Sequence, residues 1–176
     1  NSGSRNKKKG YFRNIFFNPH GHGTHTECVG HISKEDYSVN NSLKQFHFIA
    51  KLISVLPEKI DNDFIITKKT LQPFLENNLA EALIIRTLSN ADEKQTKDYS
   101  NTNPAFIEED AMKYIVEQGI NHVLLDTPSV DKEQDGGKLL AHHAFWQYPE
   151  NTNTFRTITE MVFIPNEILD GIYLLN

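Results

Sequence analysis

Between Asn18 and His31 the chain reads NPHGHGTHTECVGH, a run holding four histidines, a glutamate and three glycines. Two chemistries use such a density. In one, a histidine serves as base to a nucleophile. In the other, neutral imidazoles and a carboxylate hold a divalent metal ion. If the run is extended, period-two alternation puts His25, Glu27 and His31 on one side of the chain. His20, His22 and Thr24 then face the other way, unless the glycines bend the backbone. A catalytic metal site wants about three protein ligands and an open position for water. The run supplies two or three, so His142, His143 and a strand carboxylate such as Glu160 are the natural suppliers of the rest.

The nucleophile chemistry is the weaker reading. His22-Gly23-Thr24-His25 looks like the catalytic-histidine segment of subtilisin-like proteases, but Thr26-Glu27-Cys28 follows where small residues should. A Ser-His-Asp triad also needs a separate nucleophile segment, and no Gly-Thr-Ser type segment occurs downstream. His143 neighbours His142, but a step of about 100° around a helix keeps it from sharing the same ion. Cys28 is the only cysteine, which excludes a disulfide framework and a Cys-rich zinc site, and it reads as packing. His47 and His122 have apolar neighbours and read as core or edge residues; Phe145 and Trp146 read as packing. Asp126, Ser129 and Asp131 follow an apolar run, where they either form a turn or line a pocket.

These residues need a scaffold, and short runs rich in β-branched and aromatic types supply one. Strands are predicted at Phe12–Phe17, Phe46–Leu56, Asp63–Thr67, Ala82–Thr87, His122–Asp126, Thr157–Ile164 and Ile172–Leu175. Helical spacing of Ile107, Ala111, Ile115 and Val116, with Gly119 as cap, predicts a helix over Pro104–Gln118. Thr70–Asn77 and Lys138–Trp146 are shorter helix candidates. The class is therefore α/β with much sheet. A chain of 176 residues fits one domain over 11–176, preceded by a flexible arm at 1–10 that holds the basic run RNKKK. A net charge of −5 argues against a nucleic-acid partner, and no apolar run approaches the length of a membrane span. The expected setting is cytoplasmic, with a small molecule as partner.

Taken in order, three motifs resemble the cyclase family, which includes bacterial kynurenine formamidase and isatin hydrolase. The family pattern His-x-Gly-Thr-His-x-Asp-x-Pro-x-His is similar to Gly23-Thr24-His25-Thr26-Glu27 with His31; Asp126-Thr127-Pro128-Ser129-Val130-Asp131 resembles its DTPSVD loop; Leu140-Ala141-His142-His143 resembles its late-histidine helix, followed by Glu160 on a strand. Glu27 stands for the family aspartate, Val29 for its proline, and the first histidine falls on Gly21, between His20 and His22.

The resemblance implies a swivelling β/β/α-type domain with a mixed sheet and few helices, usually a homodimer, with the N-terminal part of the family domain absent. It implies His25, Glu27, His142 and Glu160 as ligands of one or two divalent ions, zinc or manganese, with His31 as proton carrier. Should the first segment give a further ligand, it is His20 rather than His22. Ser129 and Asp131 then fall at the substrate. The implied activity is metal-dependent hydrolysis of an open-chain or cyclic amide, of the arylformamidase or cyclase type; the alternative is a metal- or ligand-binding relative without turnover.

Overall fold

The structure, a computed structural model, describes residues 13–176. The expected arm at 1–10 and the first residue of the strand predicted at Phe12–Phe17 lie outside them. Strands β1 (His25–Glu27), β2 (Phe48–Val55), β3 (Glu58–Ile60), β4 (Asp63–Ile66), β5 (Ala82–Thr87), β6 (Phe106–Ile107), β7 (His122–Leu125), β8 (Thr157–Glu160) and β9 (Gly171–Leu175) alternate with helices α1 (Pro19–His22), α2 (Val39–Ser42), α3 (Lys68–Leu75), α4 (Glu109–Glu117) and α5 (Leu140–Trp146). The central sheet runs β1-β8-β7-β5-β2-β9, and β3-β4-β6 form a small second sheet. Strands β2, β5, β7 and β8 are mutually parallel, while β1 and β9 close the edges antiparallel. This is the mixed-sheet α/β architecture expected.

One face of the sheet carries the main core. Ile53, Val55, Leu83, Ile85, Val123, Leu125 and Ile158 recur at every second strand position. They pack against Leu71 and Leu75 of α3, Ala111, Met112 and Ile115 of α4, and Ala141, Phe145 and Trp146 of α5. Each such side chain contributes about 1.5–3 kcal/mol by leaving water. Strand β5 sends Leu83 and Ile85 into this core and Ala82 and Ile84 to a smaller cluster with Phe48 and Ala50 on the other face.

The predicted elements differ from the observed ones for physical reasons. The helix expected from Pro104 starts at Glu109, because the backbone of Phe106–Ile107 pairs with β4 instead. Helix α3 runs Lys68–Leu75 rather than Thr70–Asn77: the Thr67 hydroxyl caps its start by accepting the Thr70 amide, and Glu76 turns to extended backbone at its end. Strand β8 ends at Glu160, since Met161 adopts a left-handed backbone (φ 56°) that turns the chain to Thr127. Residues 13–17 form no strand; Ile15 and Phe16 are exposed, and an apolar run without a neighbouring strand has nothing to pair with.

His122 is a core residue, as its apolar context suggested. It sits on β7 with its ring against Phe48 (centroids 4.0 Å apart) and its Nδ1 2.8 Å from Thr157 Oγ1. His47, by contrast, is exposed and meets Asn176 at the chain end. Burial lowers the His122 pKa from 6.5 to about 4. The unfolded chain therefore takes up this proton before the folded one, so the residue costs stability as pH falls from 6.5 toward 4. Urea denaturation across that range should show a loss with a slope of up to about 1.4 kcal/mol per pH unit. In His122→Leu the slope over this window should diminish; an unchanged slope would assign it elsewhere.

Candidate metal centre

Strand β1 brings its side chains to β8 in the register His25↔Glu160, Thr26↔Thr159, Glu27↔Ile158. Alternation then points His25, Glu27 and Glu160 to the helix-covered face, while the Thr26 and Thr159 hydroxyls meet on the other face, 2.8 Å apart. Past Cys28 the chain coils into a 3-10 turn, Val29–His31, which returns His31 toward Glu27: its Nδ1 lies 3.5 Å from Glu27 Oε2. Gly30 is obligatory in this turn. A Cβ there would stand 2.2 Å from the Tyr37 carbonyl oxygen.

Extended alternation does not survive on the N-terminal side. Pro19 fits the first turn of a helix, and Pro19–His22 makes one turn closed by the His22 and Gly21 amides on the Asn18 carbonyl. The turn places His20 on the same side as His25. Its Nδ1 lies 3.3 Å from Glu27 Oε2, and its ring packs on His25 (4.9 Å) and His31 (4.6 Å). His22 is not brought in; its Nδ1 accepts the Asn18 amide at 3.0 Å.

His142 arrives from α5, with Nε2 2.9 Å from Glu27 Oε1 and 3.8 Å from Glu160 Oε1. His25 Nε2 lies 3.5 Å from Glu160 Oε2. His143 turns away and bonds the Tyr148 carbonyl. Glu27 thus belongs to two sets of donors close enough to share an ion, His20–His25–Glu27 and Glu27–His31–His142. Among the described residues, Glu27 Oε2 and His25 Nε2 are buried without a hydrogen-bond partner. Leaving such atoms bare costs about 1–3 kcal/mol each, and a divalent cation held here would satisfy both. The donor set, imidazole and carboxylate with no thiolate, suits a divalent cation.

The neighbours aim these donors. The Gly23 carbonyl accepts from His25 Nδ1 at 3.0 Å, leaving Nε2 for the centre. The Val130 amide donates to Glu160 Oε1 at 2.9 Å. Asp131, expected at the substrate, lies in the wall of the cavity beside the cluster and also aims the late histidine, because its carboxylate accepts from the Ala141 and His142 amides and, at 2.5 Å, from His142 Nδ1. It caps α5 from outside, where Leu139 gives no side-chain cap, and fixes the late histidine. Its role was missed because the partners are ten and eleven residues apart, with no local pattern to mark them. Ser129 Oγ accepts the Asp131 amide, so this hydroxyl braces the same loop.

Electrostatics follow from the burial. For His142, burial disfavours the charge, but the hydrogen bonds to Asp131 and Glu27 outweigh it and hold the pKa at about 10. In the metal-free protein His142 is therefore held as an imidazolium that donates Nδ1–H to Asp131 and Nε2–H to Glu27. The adjacent Glu160 carboxylate raises His25, and burial raises Glu160 and lowers His31. His31 is thereby kept neutral, as a ligand or proton carrier must be.

A cavity of about 1120 Å³ opens beside the cluster. His20 and Asp131 lie in its wall with Thr24, Tyr99, Ser129 and Phe163. Asp126, at the end of β7, accepts from the Thr87 amide and hydroxyl and from Lys94 Nζ (2.8 Å), which ties the loop after β5 to this end of the sheet. Parallel sheets bind ligands at this carboxyl end.

Two outcomes follow. Asp131→Asn should weaken zinc binding about 10- to 100-fold, the cost of losing a residue that orients a ligand, measured by competition with a chromophoric chelator. Zinc uptake by the metal-free protein must also displace the His142 proton. Affinity should therefore rise with pH through neutrality, and calorimetry in buffers of different ionisation enthalpy should show proton release. No release at pH 7 would remove His142 from the ligand set.

The chain matches the Cyclase family, described as "Putative cyclase", over residues 3–132, which include His25, Glu27, His31 and the 126–131 loop but end before His142 and Glu160. No curated protein matches it. Its fold is similar to that of "potential metal-dependent hydrolase with cyclase activity" (TM-score 0.63, 18% identity, 91% of this chain and 70% of that one). A "predicted metal-dependent hydrolase" from Bacillus stearothermophilus is likewise similar (0.60, 20%, 91% and 69%). So is isatin hydrolase A from Labrenzia aggregata (0.58, 13%, 86% and 63%). With the motif run, the sheet order and this match over most of its length, the chain belongs to the cyclase family.

Proposed function

We propose that the protein is a metal-dependent hydrolase that opens an amide C–N bond, in an open chain or a ring. The observation that carries this is that Glu27 Oε2 and His25 Nε2 are buried without a hydrogen bond, among the imidazoles and carboxylates of His20, His31, His142 and Glu160. His25, Glu27, His142 and Glu160 would hold a divalent ion, zinc or manganese, with His20 as a further ligand. Such an ion acidifies water toward a pKa of about 7 and polarises the carbonyl under attack.

The chain's own groups do the rest. Asp131 holds His142 in the orientation that presents Nε2 to the centre. His31, kept neutral by burial and set 3.5 Å from Glu27, takes the proton from water and passes it to the departing nitrogen. The cavity beside His20 receives the substrate, with Ser129 in its wall. The edge strand β9, whose Ile172 and Leu174 are exposed, supports pairing into a homodimer. Among the described residues no helix is long and apolar enough to cross a membrane.

The test separates holding the ion from using it. His25→Ala with Glu27→Ala should lose stoichiometric zinc by mass spectrometry. His31→Ala should retain zinc and lose at least about 100-fold in turnover of N-formyl arylamines, cyclic imides or isatin-like lactams. Zinc lost from His31→Ala would make His31 a ligand, as its closeness to Glu27 and His142 permits. Zinc bound with no turnover of any amide would favour the binding-only alternative. Light scattering after gel filtration should give twice the chain mass; a monomer would remove the dimer.

A further inference from the structure

We infer that a second cavity, on the far face of the sheet, binds a neutral aromatic compound of one or two rings whose carbonyl oxygen takes the His122 Nε2 hydrogen. The cavity encloses about 430 Å³, toward the small end of the sizes that hold small-molecule ligands. It shares no lining residue with the 1120 Å³ cavity beside the metal centre. Glu81 and Asn121, which immediately precede β5 and β7, place it at the amino ends of these parallel strands. The metal-side cavity meets the same sheet at Asp126, past the carboxyl end of β7. Alternation sends His122 to the face away from α3, α4 and α5, where Phe48 joins Ala50 and Ala82 in a small apolar cluster.

His122 is the buried polar group of this cavity, 9% exposed, and one of its nitrogens is unmet. Its Nδ1 lies 2.8 Å from the Thr157 hydroxyl. Thr157 is itself buried, and among the described residues its hydroxyl has no other partner. A buried hydroxyl gives its one hydrogen to the acceptor within reach, so Nδ1 accepts and the ring hydrogen sits on Nε2. Nothing among the described residues takes that hydrogen, yet Nε2 is not sealed from solvent. Because burial lowers the pKa to about 4, the ring at neutral pH offers a donor and no charge.

The rest of the lining sets the ligand class. Leu43, Phe48 and the exposed ring of Phe155 give apolar area for a flat ring to cover. Lys44, the one cation in the lining, is bonded to the Asn40 carbonyl, and Glu81 repels an anion. A carboxylate would therefore enter against an acid with no charge to meet it, whereas a neutral carbonyl is matched by a neutral N–H. No step of this needs a metal, so the site stands or falls apart from the hydrolase reading.

The probe is acetophenone, a neutral aromatic ketone with no amide bond to open, titrated into the full chain and followed by NMR. Nitrogen spectra of the histidine-labelled protein should place the His122 hydrogen on Nε2. Saturable shifts should appear at His122, Phe48 and Phe155 and leave Tyr99 and Phe163 of the metal-side cavity unmoved. Ethylbenzene, of the same shape without the acceptor, should bind about 5- to 10-fold more weakly, the worth of one hydrogen bond. His122→Leu should erase that preference, and Phe155→Ala should weaken both compounds alike; circular dichroism checks that each variant folds. Equal affinity of the parent for the two compounds, or a hydrogen found on Nδ1, would overturn the recognition by His122. Shifts confined to the metal-side cavity, or no saturation at all, would overturn the site.

Discussion

The arrangement of this protein hangs on the buried carboxylate of Glu27. A carboxylate taken out of water costs several kcal/mol unless it is met by charge or by strong donors. Here it is met from several directions: by His142 from α5, His31 from the turn that follows it, and His20 from the turn that precedes it. Each of those contacts fixes a different segment of chain around one pair of oxygens. The Asp131 carboxylate then serves His142 as Glu27 does, so the imidazole lies between two acids and joins the loop after β7 to the strand at the sheet's edge.

The sheet register makes this arrangement strict. Strand β1 is three residues long, yet it alone aligns His25 with Glu160. A slip of one residue would send both His25 and Glu27 to the opposite face, where Thr26 and Thr159 now meet. Short strands resist slipping only where side chains choose the face, and here the charged cluster chooses it.

What the sequence discloses, and what it hides, divides along physical lines. Strands β5 and β7 are legible because parallel strands buried on both faces must be continuously apolar. Helix α4 is legible from Ile107 onward in spacing but not in extent, since the backbone of Phe106–Ile107 answers to β4, a partner no local pattern reveals. His25, Glu27, His142 and Glu160 stand out by residue type and by resemblance, and the structure brings them together. Alternation misplaces His20, because the Asn18–Pro19 start of a helical turn overrides it. The hold of Asp131 on His142 is not legible, because its partners are reached through space rather than along the chain. The apolar run is misread over residues 13–17 because β-forming composition does not provide a neighbour to pair with.

One consequence concerns how such a centre comes into being. Glu27 and His142 are separated by 115 residues, and Glu160 comes later still. A chain emerging from a ribosome exposes its histidine-rich run early but cannot enclose it until β8 has been made and paired. Until then the same imidazoles and carboxylate are open groups with no shared geometry. Topologies dominated by such distant contacts close late in folding. Metal capture by this cluster would therefore be a mark of the finished molecule, and a chain halted before Glu160 would be a poor competitor for metal.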